Sequence, residues 1–331
     1  MIDLTETART LVTKGKGILA ADESNASADK RLALYGVTGT EETRRVFRDL
    51  FLNAPGIERY LSGVILFKET LTQKGADGDL FSHSLSRRGI IPGIKVDEGT
   101  EPIATSPKEV ITKGVLGLCE RLVEFHKEYH TGFTKWRAVV KIEGDTLPTA
   151  AALMENARRL AVYARDAQEV QMVPIIEPEV LYEGTHSRVR CREVIEETYK
   201  AVFAALEEHG VDLSGVLLKT SMVMSGKDTG KVDSPEDVAR DTVDALMAHI
   251  PRSVPGVVFL SGGQTPEQAT ENLRAISAYA KEVHAPWPLT FSYARALQEE
   301  ALEVWKGKPE NVEAARAVFL ARLQKVSEAL G

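Results

Sequence analysis

The chain has 331 residues, 43% hydrophobic and 27% charged, the balance of an ordinary globular protein. Its net charge of −7 excludes a broad cationic surface, so neither nucleic acid nor an anionic membrane is an expected partner. Two cysteines, Cys119 and Cys191, stand far apart without a CxxC spacing, which excludes a disulfide framework and fits a reducing compartment.

The N-terminal stretch Met1–Thr7 is acidic and has no apolar signal-like core, and no apolar run approaches membrane-spanning length. A cytoplasmic location is expected. Residues 4–13 read as a short amphipathic helix, and Gly17-Ile18-Leu19-Ala20-Ala21-Asp22 as the first strand. Gly15-x-Gly17-x-x-Ala20 matches a dinucleotide fingerprint by letters. It enters the strand instead of following it, so the phosphate-cradling turn is missing.

Two helical segments come next, the second opened by Thr40-Glu41-Glu42 as an N-cap with an acidic first turn. Strand candidates then recur at 62–69, 91–97, 133–140, 173–179, 215–220, 257–263 and 289–295. The intervals read as helices, among them 110–130, 151–168 and 188–209. Ser234-Pro235-Glu236-Asp237 and Thr265-Pro266-Glu267-Gln268 are helix starts, each with a capping hydroxyl and Pro at the first helical position. The remainder reads as helical to the end. Eight strands alternating with helices imply a parallel sheet. Without a nucleotide fingerprint, a closed (β/α)8 barrel is favoured over an open sheet, with extra helices at both termini. One domain spanning 1–331 is expected.

Each strand is apolar in its body and meets polar residues near its C-terminal end: Asp22; Lys68 and Glu69; Lys95 and Asp97; Lys135 and Arg137; Glu177 and Glu179; Lys219; Ser261-Gly262-Gly263; Ser292 with Arg295. In a barrel those ends share the rim where active sites sit. Side chains two apart on a strand point the same way, so three such charged pairs mark a built site. A lysine ending a buried strand, as Lys219 does, is costly unless paired, and a desolvated amine suits a Schiff-base nucleophile. Ser261-Gly262-Gly263 precedes a capped helix and matches the usual barrel phosphate site, with Arg295 beside it. Lys95 and Arg137, with Lys30-Arg31, suit a second phosphate across the mouth. The seven histidines show no HxH or HExxH spacing, so no metal and no cofactor is expected.

These strand-end motifs carry a family likeness. The chain resembles a class I, Schiff-base-forming fructose-1,6-bisphosphate aldolase over nearly its whole length. The matching stretches are Gly15–Ser24, Gly63–Phe67 with Glu69-Thr70-Leu71, Gly93–Asp97, Lys135-Trp136-Arg137, Glu177-Pro178-Glu179, Leu217-Leu218-Lys219, Phe259–Gln264 and Phe291-Ser292-Tyr293. The resemblance implies reversible, metal-independent cleavage of fructose 1,6-bisphosphate, with sedoheptulose 1,7-bisphosphate as an alternative ketose and a non-catalytic scaffold as an alternative of another class. It implies Lys219 as the nucleophile, Glu177 as general acid/base, Glu179 as its polar neighbour, and Asp22 and Lys135 orienting substrate around C3 and C4. It implies Ser261, Gly262, Gly263, Ser292 and Arg295 at the 1-phosphate, and Ser24, Ser27, Lys30, Lys95 and Arg137 toward the 6-phosphate. A homotetramer is the oligomer it suggests. Two departures stand out. Thr220-Ser221 follows the lysine where Pro-Asn is commoner, and Ala329-Leu330-Gly331 holds no tyrosine where eukaryotic members carry one.

Overall fold

A computed structural model describes residues 3–331. Met1 and Ile2, the first residues of the acidic N-terminus noted above, lie outside that range. Eight strands close into an all-parallel barrel: β1 Gly17–Ala21, β2 Leu61–Leu66, β3 Ile91–Lys95, β4 Phe133–Val140, β5 Val173–Val180, β6 Leu217–Thr220, β7 Val257–Phe259 and β8 Leu289–Tyr293. Around the barrel the order is β1-β8-β7-β6-β5-β4-β3-β2, so every strand has two hydrogen-bonded neighbours and the edge problem disappears.

Strand alternation divides the side chains into two cores. Facing inward, Ile18, Ala20, Ile65, Phe133, Val173, Ile175, Leu217 and Val258 are essentially fully buried and form one cluster. The N-terminal helix Leu4–Leu11 plugs the bottom of the barrel by adding Ala8 and Leu11, with Val12 after it. Phe133 fills the interior because Gly93 faces it: a Cβ there would stand 2.4 Å from the ring. Facing outward, Trp136, Ile176, Leu218 and Phe259 join the larger cluster beneath the surrounding helices.

Two buried tyrosines register covering helices on the strands below them. From the helix Ala150–Glu169, Tyr163 stacks on Trp136 with centroids 5.4 Å apart and shares a 2.7 Å hydrogen bond with Thr134. Tyr199, on the helix Arg188–Glu208, shares a 2.8 Å bond with Thr220. Ser221 in turn donates to the Val180 carbonyl at 2.8 Å. Thr220-Ser221 thus has a structural account: both hydroxyls lock β6 to its neighbours.

Most expected helix starts hold. Thr40, Ser234 and Thr265 each cap a helix through the side-chain oxygen. The stretch 110–130 does not. An antiparallel hairpin, Thr100–Ile103 with Ser106–Thr112, carries its first residues, and the helix begins only at Leu118. Lys68 and Glu69 lie beyond β2, in the short helix Lys68–Thr72. The C-terminal helical region is broken between Trp305 and Pro309.

Candidate active site

Above the apolar floor, the C-terminal ends of the strands surround a cleft of about 820 Å³. Asp22, Ser24, Ser27, Lys95, Lys135, Arg137, Glu177, Glu179, Lys219, Ser261, Gly262, Ser292 and Arg295 all line it. Residues from β1, β3, β4, β5, β6, β7 and β8 are therefore brought together.

At its centre is a buried chain of alternating charges. Asp22 Oδ2 lies 2.6 Å from Lys135 Nζ, Lys135 Nζ 3.1 Å from Glu177 Oε2, and Glu177 Oε1 2.9 Å from Lys219 Nζ. The Lys135, Glu177 and Lys219 side chains are each 4% exposed, so neighbours rather than water must satisfy their charge. Burial pushes the Glu177 carboxyl up, but Lys135 and then Lys219 outweigh it and hold the carboxyl below its ordinary range. Burial likewise opposes the Lys135 ammonium, yet Asp22 and Glu177 raise its pKa. The 3.1 Å contact to Glu177 Oε2 lacks hydrogen-bond alignment, and that oxygen has no other partner. It is an acceptor inside the cleft, next to the lysine amine.

The register accounts for this geometry. Lys135 is the third residue of β4, opposite Lys95 on β3 and Ile175 on β5. It stands well before the strand's end because β4 runs on to Val140. Glu177 pairs with Arg137 across the same sheet, and Lys219 follows inward-facing Leu217 by two residues. Around this core, Lys95 binds Asp97 Oδ1 at 2.6 Å and its carbonyl at 2.8 Å, and Arg137 pairs with Glu179. Asp97 Oδ2 also accepts the Arg137 backbone N–H at 3.3 Å.

On the β7–β8 side, Gly262 and Gly263 take left-handed conformations, φ 58° and 97°, which glycine adopts without a Cβ penalty. Arg295 opens the helix Arg295–Trp305, whose N-terminus faces the cleft, a favourable setting for an anion. Ser292 is 1% exposed, its hydroxyl has no partner, and it lines the same cleft as Lys219 and this turn.

Two expected residues do not line the cleft. Lys30 lies in the last turn of the helix Asn25–Ala33, which Ser24 caps. Six residues along a helix is roughly 9 Å, enough to carry Lys30 away from the mouth. Gly263 backs Arg295, with a Cβ position 3.5 Å from its guanidinium. Conversely, Lys68, Glu23, Arg121 and Phe125 line the cleft. Lys68 was visible as a strand-end charge. Arg121 and Phe125 share one face of the helix after the hairpin, and it is the hairpin, unforeseen in the sequence, that sets where this helix begins.

Comparison with known proteins agrees with this geometry. Residues 3–331 match the family model described as fructose-bisphosphate aldolase class-I. Fructose-bisphosphate aldolase 4, cytosolic, of Arabidopsis thaliana is 48% identical over 317 residues, 96% of this chain and 80% of that protein. A probable fructose-bisphosphate aldolase class 1 of Xanthomonas axonopodis is 44% identical, covering 97% and 95%. A solved fructose-bisphosphate aldolase of Plasmodium falciparum, in complex with TRAP and a small-molecule inhibitor, superposes with a TM-score of 0.96 at 44% identity, covering 99% of this chain and 93% of its own.

Proposed function

This chain belongs to the class-I fructose-bisphosphate aldolase family, and we propose that it performs the family's Schiff-base cleavage of fructose 1,6-bisphosphate with Lys219 as nucleophile. The products are dihydroxyacetone phosphate and glyceraldehyde 3-phosphate. One observation carries the assignment of roles: the buried Lys219–Glu177 contact of 2.9 Å, set on an apolar floor.

Glu177 takes a proton from the Lys219 ammonium, freeing the amine to attack the C2 ketone. The protonated carboxyl then returns that proton to the departing carbinolamine hydroxyl, so iminium and one water form with charge conserved. The iminium draws the electron pair of the C3–C4 bond as a base removes the C4 hydroxyl proton, leaving an enamine and the aldehyde. Asp22 and Lys135 hold the C3 and C4 hydroxyls. Glu179 fixes Arg137 and the orientation of this wall. The Ser261–Gly262 turn, Ser292 and Arg295 hold the 1-phosphate, with Gly263 supporting Arg295. Ser24, Ser27, Lys95 and Arg137 face the distal end of the sugar. These assignments require no metal.

The test is borohydride reduction in the presence of dihydroxyacetone phosphate, followed by peptide mapping. The expected adduct is on Lys219; no adduct, or one on another lysine, rejects the assignment. We further propose one folding unit over the whole chain, a homotetramer and a cytoplasmic location. The Arabidopsis relatives are named cytosolic, and no helix here is long and apolar enough to cross a membrane. Sedimentation equilibrium checks the tetramer.

A further inference from the structure

The charges lining the cleft are distributed unevenly between those already neutralised and those left over. Lys95 is held by Asp97, Arg137 by Glu179, and Lys135 and Lys219 by Asp22 and Glu177. Glu23 is taken by Arg31, and Arg121 is anchored to the Leu116 carbonyl at 2.9 Å, with Glu98 at 3.8 Å. Among the described residues, Lys68 and Arg295 line the cleft with no carboxylate within ion-pair distance. Arg295 already belongs to the proximal phosphate cradle. Lys68 has no role in any reading above.

Its place in the fold gives it one. The strand order sets β2 between β1 and β3. Lys68, just beyond β2, therefore stands on the arc that carries Ser24 and Ser27 after β1 and Lys95 at the end of β3. Its neighbour Glu69, which would otherwise neutralise it, is committed to Arg44 and Arg48 at 2.6 Å each. A phosphate brings close to two negative charges at neutral pH. Lys95 is already spent on Asp97, so that arc needs an uncommitted cation if it is to hold a second phosphate.

We propose that Lys68 is a specificity-determining residue for the distal phosphate, supplying the free charge that makes the enzyme prefer a ketose bisphosphate over a monophosphate. It takes the part that the sequence assigned to Lys30. The inference rests on the aldolase reading of the cleft. Loss of a charge-assisted contact of this kind corresponds to about a 10- to 100-fold change in specificity.

The test compares kcat/KM for fructose 1,6-bisphosphate and fructose 1-phosphate in the wild type, Lys68→Ala and Lys68→Arg. The expected result is a 10- to 100-fold fall in the bisphosphate-to-monophosphate ratio for Lys68→Ala, carried mainly by KM, and substantial recovery in Lys68→Arg. An unchanged ratio overturns the proposal, and so does an equal loss on both sugars. Borohydride trapping of wild-type enzyme with dihydroxyacetone phosphate, which has no distal phosphate, is run in parallel. Failure there counts against the aldolase reading itself, whereas an unchanged ratio with normal trapping counts against Lys68 alone.

Discussion

Lys219 Nζ and Glu177 Oε1 are 2.9 Å apart, and both side chains are 96% removed from solvent. The carboxylate's other oxygen faces Lys135 at 3.1 Å. Glu177 is thus poised between a nucleophile and a second cation, and can exchange a proton with the first without losing all charge compensation.

The first prediction concerns that proton. Glu177→Gln keeps the side-chain volume and removes the carboxylate that takes up and returns the proton. We expect kcat to fall by about 10²–10⁴, the usual weight of a general acid/base, and borohydride trapping to slow in parallel because carbinolamine dehydration is impaired. Loss of cleavage with trapping at the wild-type rate would remove Glu177 from the iminium-forming step.

The second prediction is a stability that depends on pH. The folded-state pKa of Glu177 lies below its ordinary value of 4.5. Its contribution is therefore present above pH 4.5 and lost as pH falls through the lowered value. Lys135 has a raised pKa, so its contribution is fully present below its ordinary value and changes only at high pH. Of these two groups only Glu177 contributes in the acid range, where it adds to carboxylates that arginines hold low, such as Glu69 and Glu155. Chemical denaturation of Glu177→Gln from pH 7 downward should give a shallower loss of stability below pH 4.5 than in the wild type; identical slopes would contradict the assignment.

A third prediction follows from the position of Lys135 between two carboxylates, Asp22 and Glu177. Lys135→Met strips Asp22 of its cation and leaves Glu177 with Lys219 alone, among side chains that water barely reaches. Removing one partner of a buried ion pair costs about 3–5 kcal/mol, because the remaining charge is unpaired. Urea titration at pH 7 should show a loss of that size, with part of it recovered in Asp22→Asn/Lys135→Met. A loss within 0.5 kcal/mol, roughly the scale of an inert surface change, would mean the chain of charges is not coupled.

How far the site could be read from sequence depended on what each residue needed. The barrel was legible because eight apolar strand candidates alternate with helices along the chain, and because Ser234 and Thr265 announce two of those helices. Lys219, Glu177 and Asp22 were legible as polar residues where buried strands end. The hairpin Thr100–Thr112 was not. Its first strand, Thr-Glu-Pro-Ile, is almost wholly exposed, so no apolar alternation betrays it. The placement of Lys30 and Lys68 about the cleft was hidden for a different reason. Which of two lysines faces the mouth depends on how far a loop helix runs from the rim, and which is free depends on partners distant in sequence, such as Arg44 and Arg48 for Glu69.

The last prediction separates the two ends of the sugar. Gly262 has φ 58°, and a Cβ there would come within 3.1 Å of Leu260 Cδ1. Gly262→Ala incurs the left-handed penalty of about 1–2 kcal/mol for a residue with a side chain, and it shifts the turn whose amides face the proximal phosphate. That phosphate is common to fructose 1,6-bisphosphate and fructose 1-phosphate. The KM for both sugars should therefore rise together, by about tenfold if the shift removes one charge-assisted contact, leaving their kcat/KM ratio near the wild-type value. A substitution at the distal end must change the ratio, whereas one at the proximal turn must not. If Gly262→Ala altered the ratio instead, the two phosphates would have to exchange places in the cleft, with the β7–β8 turn holding the distal one.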